Sequence, residues 1–389
     1  MNSNYRNYKI DFLRGVAILL VLILHFNISY HLDQSALSHV FSVNFIKAIA
    51  SNGNYGVTIF FVISGFLITS TSLERYGTLG NVDTLGFYIF RFARIMPCLL
   101  LVLGLITLFS FLHIPIFQNH ANSTSFALGI FSVLTFWHNV LMEKIGYFNY
   151  CLNIFWSLSV EEIFYVVFPL LCLLLKKTRF ILLFLITLII ISPVYRSHYT
   201  ENEIVALYGY LSCFDAIAIG CVAAIIAQKI QFNRWLRKIL LYSAGLFITG
   251  VYFYSGIIAN VVLGVSLMAI GTAVFLISAS SEKMVNNTAT GLFGRMICWF
   301  GKNSYELYLF HIVVLALMKE MVSRDALGDY TKLLWMALFF GTSVLVAGTI
   351  SRFYSQPMNK KLRNLLFDYR QRKVFSPSLS NQINISVSE

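Results

Sequence analysis

The sequence predicts an all-α polytopic membrane protein of about ten transmembrane helices, with both termini cytoplasmic. Three observations carry that expectation. Of the 389 residues, 58% are hydrophobic and 12% charged, and mean hydropathy is +0.72, too little charge to cover a soluble protein of this length. The apolar residues fall into runs that suit a bilayer, which takes roughly 20 residues as a helix. These runs are 10–30, 55–73, 87–112, 154–175, 180–195, 205–228, 239–254, 257–278, 304–321 and 333–353. With the N-terminus inside, the basic residues then sort by side. Lys47, Lys144, Arg196, Lys319, Arg324 and Lys332 fall outside, and the rest of the 29 fall inside. The net charge of +12 follows from this flanking pattern and does not argue for nucleic acid.

One apolar segment resists the count. Residues 126–142 (FALGIFSVLTFWHNVLM) are nearly long enough to span, but a crossing here would put Lys176, Lys177 and Arg179 outside and invert every later loop. The segment is therefore expected as an outer re-entrant or interfacial helix packed on protein. Residues 1–353 read as one transmembrane domain. Residues 354–389 read as a basic cytoplasmic tail, a surface helix followed by a polar, disordered end. The six cysteines lie in or beside apolar runs and form no disulfide framework. The first run is too long for a cleavable signal peptide.

The first run (IDFLRGVAILLVLILHFNISY) carries Arg14 near its start and His25 deep inside. Eleven positions place them ~20° from the same helical face and ~16 Å apart along the axis. Ionisable groups at membrane depth are costly and point to function, although snorkelling and interhelical hydrogen bonds are the plain alternatives. Gly56, Ser64 and Gly65 in the second run read as helix-packing positions. Arg91 and Arg94 open the third run one turn apart on one face; with Arg14, and Arg75 in the loop before, they suit a phosphate site at the inner surface. Pro97 follows one turn later.

In the fourth run, Glu161 and Glu162 follow Trp156, an outer interfacial anchor. Adjacent helical positions point ~100° apart, so one carboxylate is expected to face an acceptor cavity and the other a basic group. A structural ion pair is the plain alternative. Asp215 and His311 are either second catalytic groups or buried structural residues, and the structural reading is favoured for both. The remaining histidines lie in or near outer loops with no spacing for a metal cage. There is no Walker loop, GxSxG elbow or dinucleotide glycine fingerprint.

Taken in order, DFLRGVAILLVLILH, GVTIFFVISGFLI, RFARIMP, WSLSVEEIFYVVFP and SYELYLFH resemble the landmarks of the acyltransferase-3 family, integral-membrane O-acyltransferases of bacteria. The resemblance runs from Asp11 to His311, with Ile163 where the family often has Gln and Phe310 where it often has Trp. It implies about ten spans in the bacterial inner membrane, a cytoplasmic acetyl-coenzyme A donor and a hydroxyl acceptor. The acceptor class is a glycan such as an O-antigen, an exopolysaccharide or a lipid-linked saccharide. Some family members carry a further periplasmic domain, whereas this chain ends in a short tail.

On that basis His25, Glu161 and Glu162 are the catalytic candidates, with His25 as general base and a glutamate orienting the sugar on the outer side. Arg14, Arg91 and Arg94 are the donor-binding candidates. Asp11, Tyr305 and His311 are secondary candidates, and no metal is expected. Acylation of a small molecule such as a macrolide, and a transporter without enzymatic activity, are the alternative readings.

Overall fold

The computed structural model describes residues 7–120, 123–280 and 291–368, and every regular element among them is helical. The first helix, α1 (Tyr8–Tyr30), is capped by the Asn7 side chain and ends where His31 turns into the left-handed region (φ 54°). A short α2 (Val43–Ser51) leads into α3 (Asn54–Tyr76), and α4 (Thr84–Phe111) follows. Next come α5 (Phe126–Leu134), α6 (His138–Ile145), α7 (Trp156–Leu175), α8 (Thr178–His198), α9 (Glu203–Tyr208) and α10 (Tyr210–Lys229). The last five are α11 (Arg234–Tyr254), α12 (Val261–Ser280), α13 (Leu292–Lys302), α14 (Ser304–Met321) and α15 (Asp329–Ile350). The chain continues from α15 through a π-helical turn, Ser351–Ser355, as one helix to Asp368.

Nine helices among the described residues are long and apolar enough to cross a membrane. The protein is a polytopic all-α membrane protein. The expected span 304–321 is not among the nine: α14 has 18 residues and carries Glu306, Lys319 and Glu320. It stands against α1, α4 and α15, and its apolar residues Leu307, Leu309, Phe310 and Leu315 are almost wholly buried. Neighbouring helices rather than lipid thus cover most of it.

Several expected boundaries move. The run 126–142 breaks into α5 and α6, with Phe136 at φ 61° between them. Nine and eight residues rise only ~12–14 Å, under half of a ~30 Å hydrocarbon core. The segment is therefore no straight crossing, in keeping with the outer position that charge balance assigns it. His138 ties the pair down. Its Nδ1 lies 2.7 Å from Ser132 Oγ and its backbone N–H donates to Ser159 of α7 at 3.2 Å. Burial pushes its imidazole down to about 4, so it sits there neutral. The run 205–228 breaks at Gly209 into α9 and α10.

The third span begins at Thr84, with the Asp83 side chain accepting from the Gly86 N–H at 3.1 Å. Arg91 and Arg94 consequently sit ~10 and ~15 Å inside the helix instead of opening it at the surface. All six cysteines are free and buried. The polar end of the tail, 369–389, lies outside the described residues.

The centre of the bundle is a seam between α3 and α10. A Cβ on Gly65 would stand 2.0 Å from the Ile217 carbonyl oxygen, and one on Gly220 would stand 2.1 Å from that of Val62. Backbone against backbone leaves no side chain to give way, and small residues are what allow such an approach in lipid. Gly220→Val is expected to cost at least about 1–3 kcal/mol by overpacking. Thermal unfolding in detergent, followed by size-exclusion chromatography, reads this directly, and an unshifted midpoint counts against the seam.

Candidate functional site

Five helices of this framework, α1, α3, α4, α7 and α14, converge polar residues on one central cavity. From α1, Arg14 reaches in and donates through Nη2 to Ser304 Oγ at 2.8 Å. From α4 come Arg91 and Arg94. From α7 comes Glu161, which accepts from Ser64 Oγ of α3 and from Tyr165 Oη at 3.3 Å. Tyr165 is one turn beyond Glu161, and its ring carries the Arg91 guanidinium 4.0 Å above its centroid. Pro97 has no N–H, so the Ala93 carbonyl loses its helical donor. Beside it, the carbonyls of Ile95 and Pro97 accept from Tyr305 Oη at 2.8 Å and Tyr354 Oη at 3.3 Å. This stretch of α4, which carries both arginines, is thereby tied to α14 and to the π-helical turn.

Neither Arg91 nor Arg94 makes a hydrogen bond or an ion pair among the described residues. Two guanidinium groups one helical turn apart therefore present open donors to the cavity. That is the requirement for binding a phosphorylated or otherwise anionic ligand bidentately.

A second cavity opens at the other end of the bundle, where His25, Tyr147, Tyr150, Trp156 and Tyr208 line it. No Lys or Arg is among its lining residues. His25 Nδ1 lies 2.9 Å from the Val21 carbonyl oxygen, and His311 Nδ1 lies 2.9 Å from that of Leu307. A carbonyl only accepts, so in the neutral rings Nδ1 carries the proton and Nε2 the lone pair. The two imidazoles meet edge to face with centroids 4.9 Å apart, and His311 Nε2 is buried without a hydrogen-bond partner. Tyr308 and Val57 line both cavities and so form the partition between them. The Tyr308 hydroxyl is held by Ser157 Oγ at 2.6 Å and donates to the Ile154 carbonyl at 2.9 Å.

Residues 7–352 match a family described as an acyltransferase domain, of the acyltransferase-3 type. The chain belongs to the acyltransferase-3 family. Among its relatives, the O-acetyltransferase OatA of Staphylococcus aureus (strain NCTC 8325 / PS 47) is 26% identical over 369 residues. A putative O-acetyltransferase of Staphylococcus aureus (strain COL) is 25% identical over 375 residues. Each match covers 90% of this chain but 57% of the relative, so the chain spans little more than half the length of these curated relatives. No solved structure matches.

In this acyltransferase-3 chain, the candidates read from sequence separate into groups. Arg14, Arg91, Arg94, Glu161 and Tyr305 share the central cavity, and His25 faces the other one. Glu162, Asp11 and His311 line neither. The expectation that a glutamate of the pair faces an acceptor cavity on the outer side is corrected: Glu161 lies with the arginines. Glu162 points into packing, with Oε1 buried and lacking a hydrogen-bond partner. Ser64 is a hydrogen-bond donor to Glu161 rather than a packing residue. Sequence reasoning missed Tyr165, Ser304, Ser157 and the partition role of Tyr308. Of these, only Tyr165 carries a readable signal, its i+4 spacing from Glu161.

Proposed function

We propose that this chain is a membrane O-acyltransferase of the bacterial cytoplasmic membrane that moves an acetyl group from acetyl-coenzyme A to a glycan hydroxyl. The observation that carries the reading is the pair of cavities sharing one wall. One presents open arginine donors suited to the donor's phosphates. The other has aromatic and polar walls, no cation, and a histidine at the partition. The similarity to OatA, an O-acetyltransferase, supports the same chemistry.

In this mechanism the donor enters at the basic, cytoplasmic end, with its phosphates on Arg91 and Arg94 and its thioester directed toward Tyr308. The acceptor hydroxyl enters by the second cavity. His25 Nε2 takes the hydroxyl proton as the oxygen attacks the thioester carbonyl. The C–S bond then breaks, the leaving thiolate takes that proton from His25 Nε2, which restores the neutral base, the new ester leaves with the acceptor, and coenzyme A departs on its own side. Glu161 neutralises part of the arginine charge and, through Ser64 and Tyr165, orders that cavity's wall. Coenzyme A itself never crosses.

The test uses purified chain in detergent with acetyl-coenzyme A and a panel of glycan acceptors. Release of free thiol together with an acetylated glycan by mass spectrometry is the expected result. Thiol release driven only by a small-molecule acceptor such as a macrolide transfers the reading to that class. Binding without any thiol release leaves a transporter.

The orientation is tested separately with single cysteines at exposed positions in a cysteine-free background. Lys177→Cys is expected to label only from the cytoplasmic side and Lys144→Cys only from the outside. Asn149 is unsuited to such labelling because it is buried, its side chain accepting from the backbone N–H groups of Cys151 and Leu152. Labelling of Lys177→Cys from outside would invert the assignment of both cavities.

A further inference from the structure

Below the central cavity lies a third that shares Leu67, Arg91 and Arg94 with it. Its remaining walls come from the last turns of α3, the first turns of α4, and the stretch of the long C-terminal helix beyond the π-helical turn. That last stretch contributes Asn359 and Arg363. Four arginines therefore line this antechamber (Arg75, Arg91, Arg94 and Arg363), and no Asp or Glu is among its lining residues.

The Arg75 and Arg363 guanidinium groups lie 4.2 and 4.4 Å from the centroid of the same ring, Phe90. Two like charges on one phenyl ring repel each other, and the ring's quadrupole offsets this in part. Stacking also leaves the in-plane N–H groups of each guanidinium free for a ligand. Asn359 Oδ1 is buried in the wall with no hydrogen-bond partner. It is an acceptor waiting for an N–H or O–H, which the adenine amino group and the ribose hydroxyl of a nucleotide carry and its monoester phosphate dianion does not.

We propose that this antechamber holds the phosphorylated nucleotide end of the acyl-coenzyme A donor, so that the C-terminal segment, through Arg363, is part of the donor site. The diphosphate lies at Arg91 and Arg94, where the two cavities meet. The ribose phosphate lies between Arg75 and Arg363, and the pantetheine arm runs on into the central cavity. This rests on the acyl-coenzyme A reading above. It adds a contribution from beyond the last span that the family match, ending at residue 352, does not cover.

The experiment is calorimetric titration of the full chain in neutral detergent with three probes: acetyl-coenzyme A, adenosine 3′,5′-bisphosphate and pantetheine. The bisphosphate is expected to bind by itself and to compete with acetyl-coenzyme A. Arg363→Ala and Arg75→Ala are each expected to weaken both phosphorylated probes by about tenfold or more, the loss of a charge-assisted contact. Pantetheine binding should stay as in the wild type. Arg363 is exposed on its helix, so Arg363→Glu should fold as well and weaken the phosphorylated probes further.

Unchanged acetyl-coenzyme A affinity in the Arg363 variants, with normal wild-type turnover, overturns the antechamber alone. Loss of retained phosphatidylglycerol in those variants, without loss of the bisphosphate, overturns it in favour of a lipid headgroup site. A wild-type chain that binds none of the three probes overturns the donor reading itself.

Discussion

Replacing His25 by Ala is expected to lower acyl transfer by at least about 10²-fold per folded molecule, the lower end of what a positioned general base contributes, while donor binding persists. The two effects separate because of where the residues stand. Arg14 and His25 are on one helix, ~16 Å apart along its axis, and the arginines line the central cavity while His25 lines the other. Removing the imidazole therefore leaves every guanidinium in place. Nor does the helix suffer, since Ala is the most favourable helix former. The measurement is acceptor acylation and acetyl-coenzyme A affinity in one detergent preparation, normalised to monodisperse protein. A folded His25→Ala variant with near wild-type turnover would remove His25 from the mechanism.

The imidazole of His311, 4.9 Å away, then becomes the next base to test. As placed, His311 would act through His25. It lines neither cavity, and its ring edge packs against His25. His311→Phe keeps a ring at that contact and deletes both nitrogens. It is expected to shift the pH dependence of kcat/KM while leaving donor affinity unchanged. A purely structural His311 would instead lower the yield of folded protein and leave the pH profile of the remainder alone.

What the sequence makes legible is mostly what lies on one helix. The Arg14–His25 spacing, the Arg91–Arg94 pair and the divergence of Glu161 from Glu162 are consequences of helical period, and the structure arranges them so. The charge balance also separates the 126–142 segment from the true crossings, though not its break at Phe136. What lies between helices is less legible. The depth of Arg91 and Arg94 depends on where α4 starts, and that is set by the Asp83 cap four residues upstream of the apolar run. α14 runs the length of α1, from Ser304 beside Arg14 to Val322 beside Tyr30, but only the packing shows that protein covers most of its apolar surface. Closeness to Trp156 suggests the outer side for one of Glu161 and Glu162. Only the packing of α7 on α4 shows that the arginines reach Glu161.

Arg196 shows the same limit, and changing it is expected to have the largest effect on stability. Its place at the end of an apolar run suggests an outer loop charge; instead it is wholly buried in the last turns of α8. There it pairs bidentately with Asp215 of α10, Nη1 to Oδ1 at 3.1 Å and Nη2 to Oδ2 at 2.8 Å. Its remaining donors reach the carbonyls of Ser212 and Val262 and the hydroxyl of Ser266, which itself donates to Asp215 Oδ2 at 2.7 Å. One guanidinium thus joins α8, α10 and α12. Asp215 is correspondingly a structural residue, as the sequence favoured, and neither member of the pair lines a cavity of the site.

Breaking a buried pair by removing one partner strands the other charge and costs about 3–5 kcal/mol, whereas replacing both by apolar residues of similar volume is often near neutral. Arg196→Met and Asp215→Leu are therefore each expected to be strongly destabilising alone, with the double variant markedly more stable than either. Thermal unfolding of the four proteins in one detergent gives the coupling. The double variant should also retain turnover per folded molecule, because neither residue lines a cavity of the proposed site. Additive losses across the cycle would show that the pair does not act as a unit. A stable double variant without turnover would return Asp215 to the list of catalytic groups.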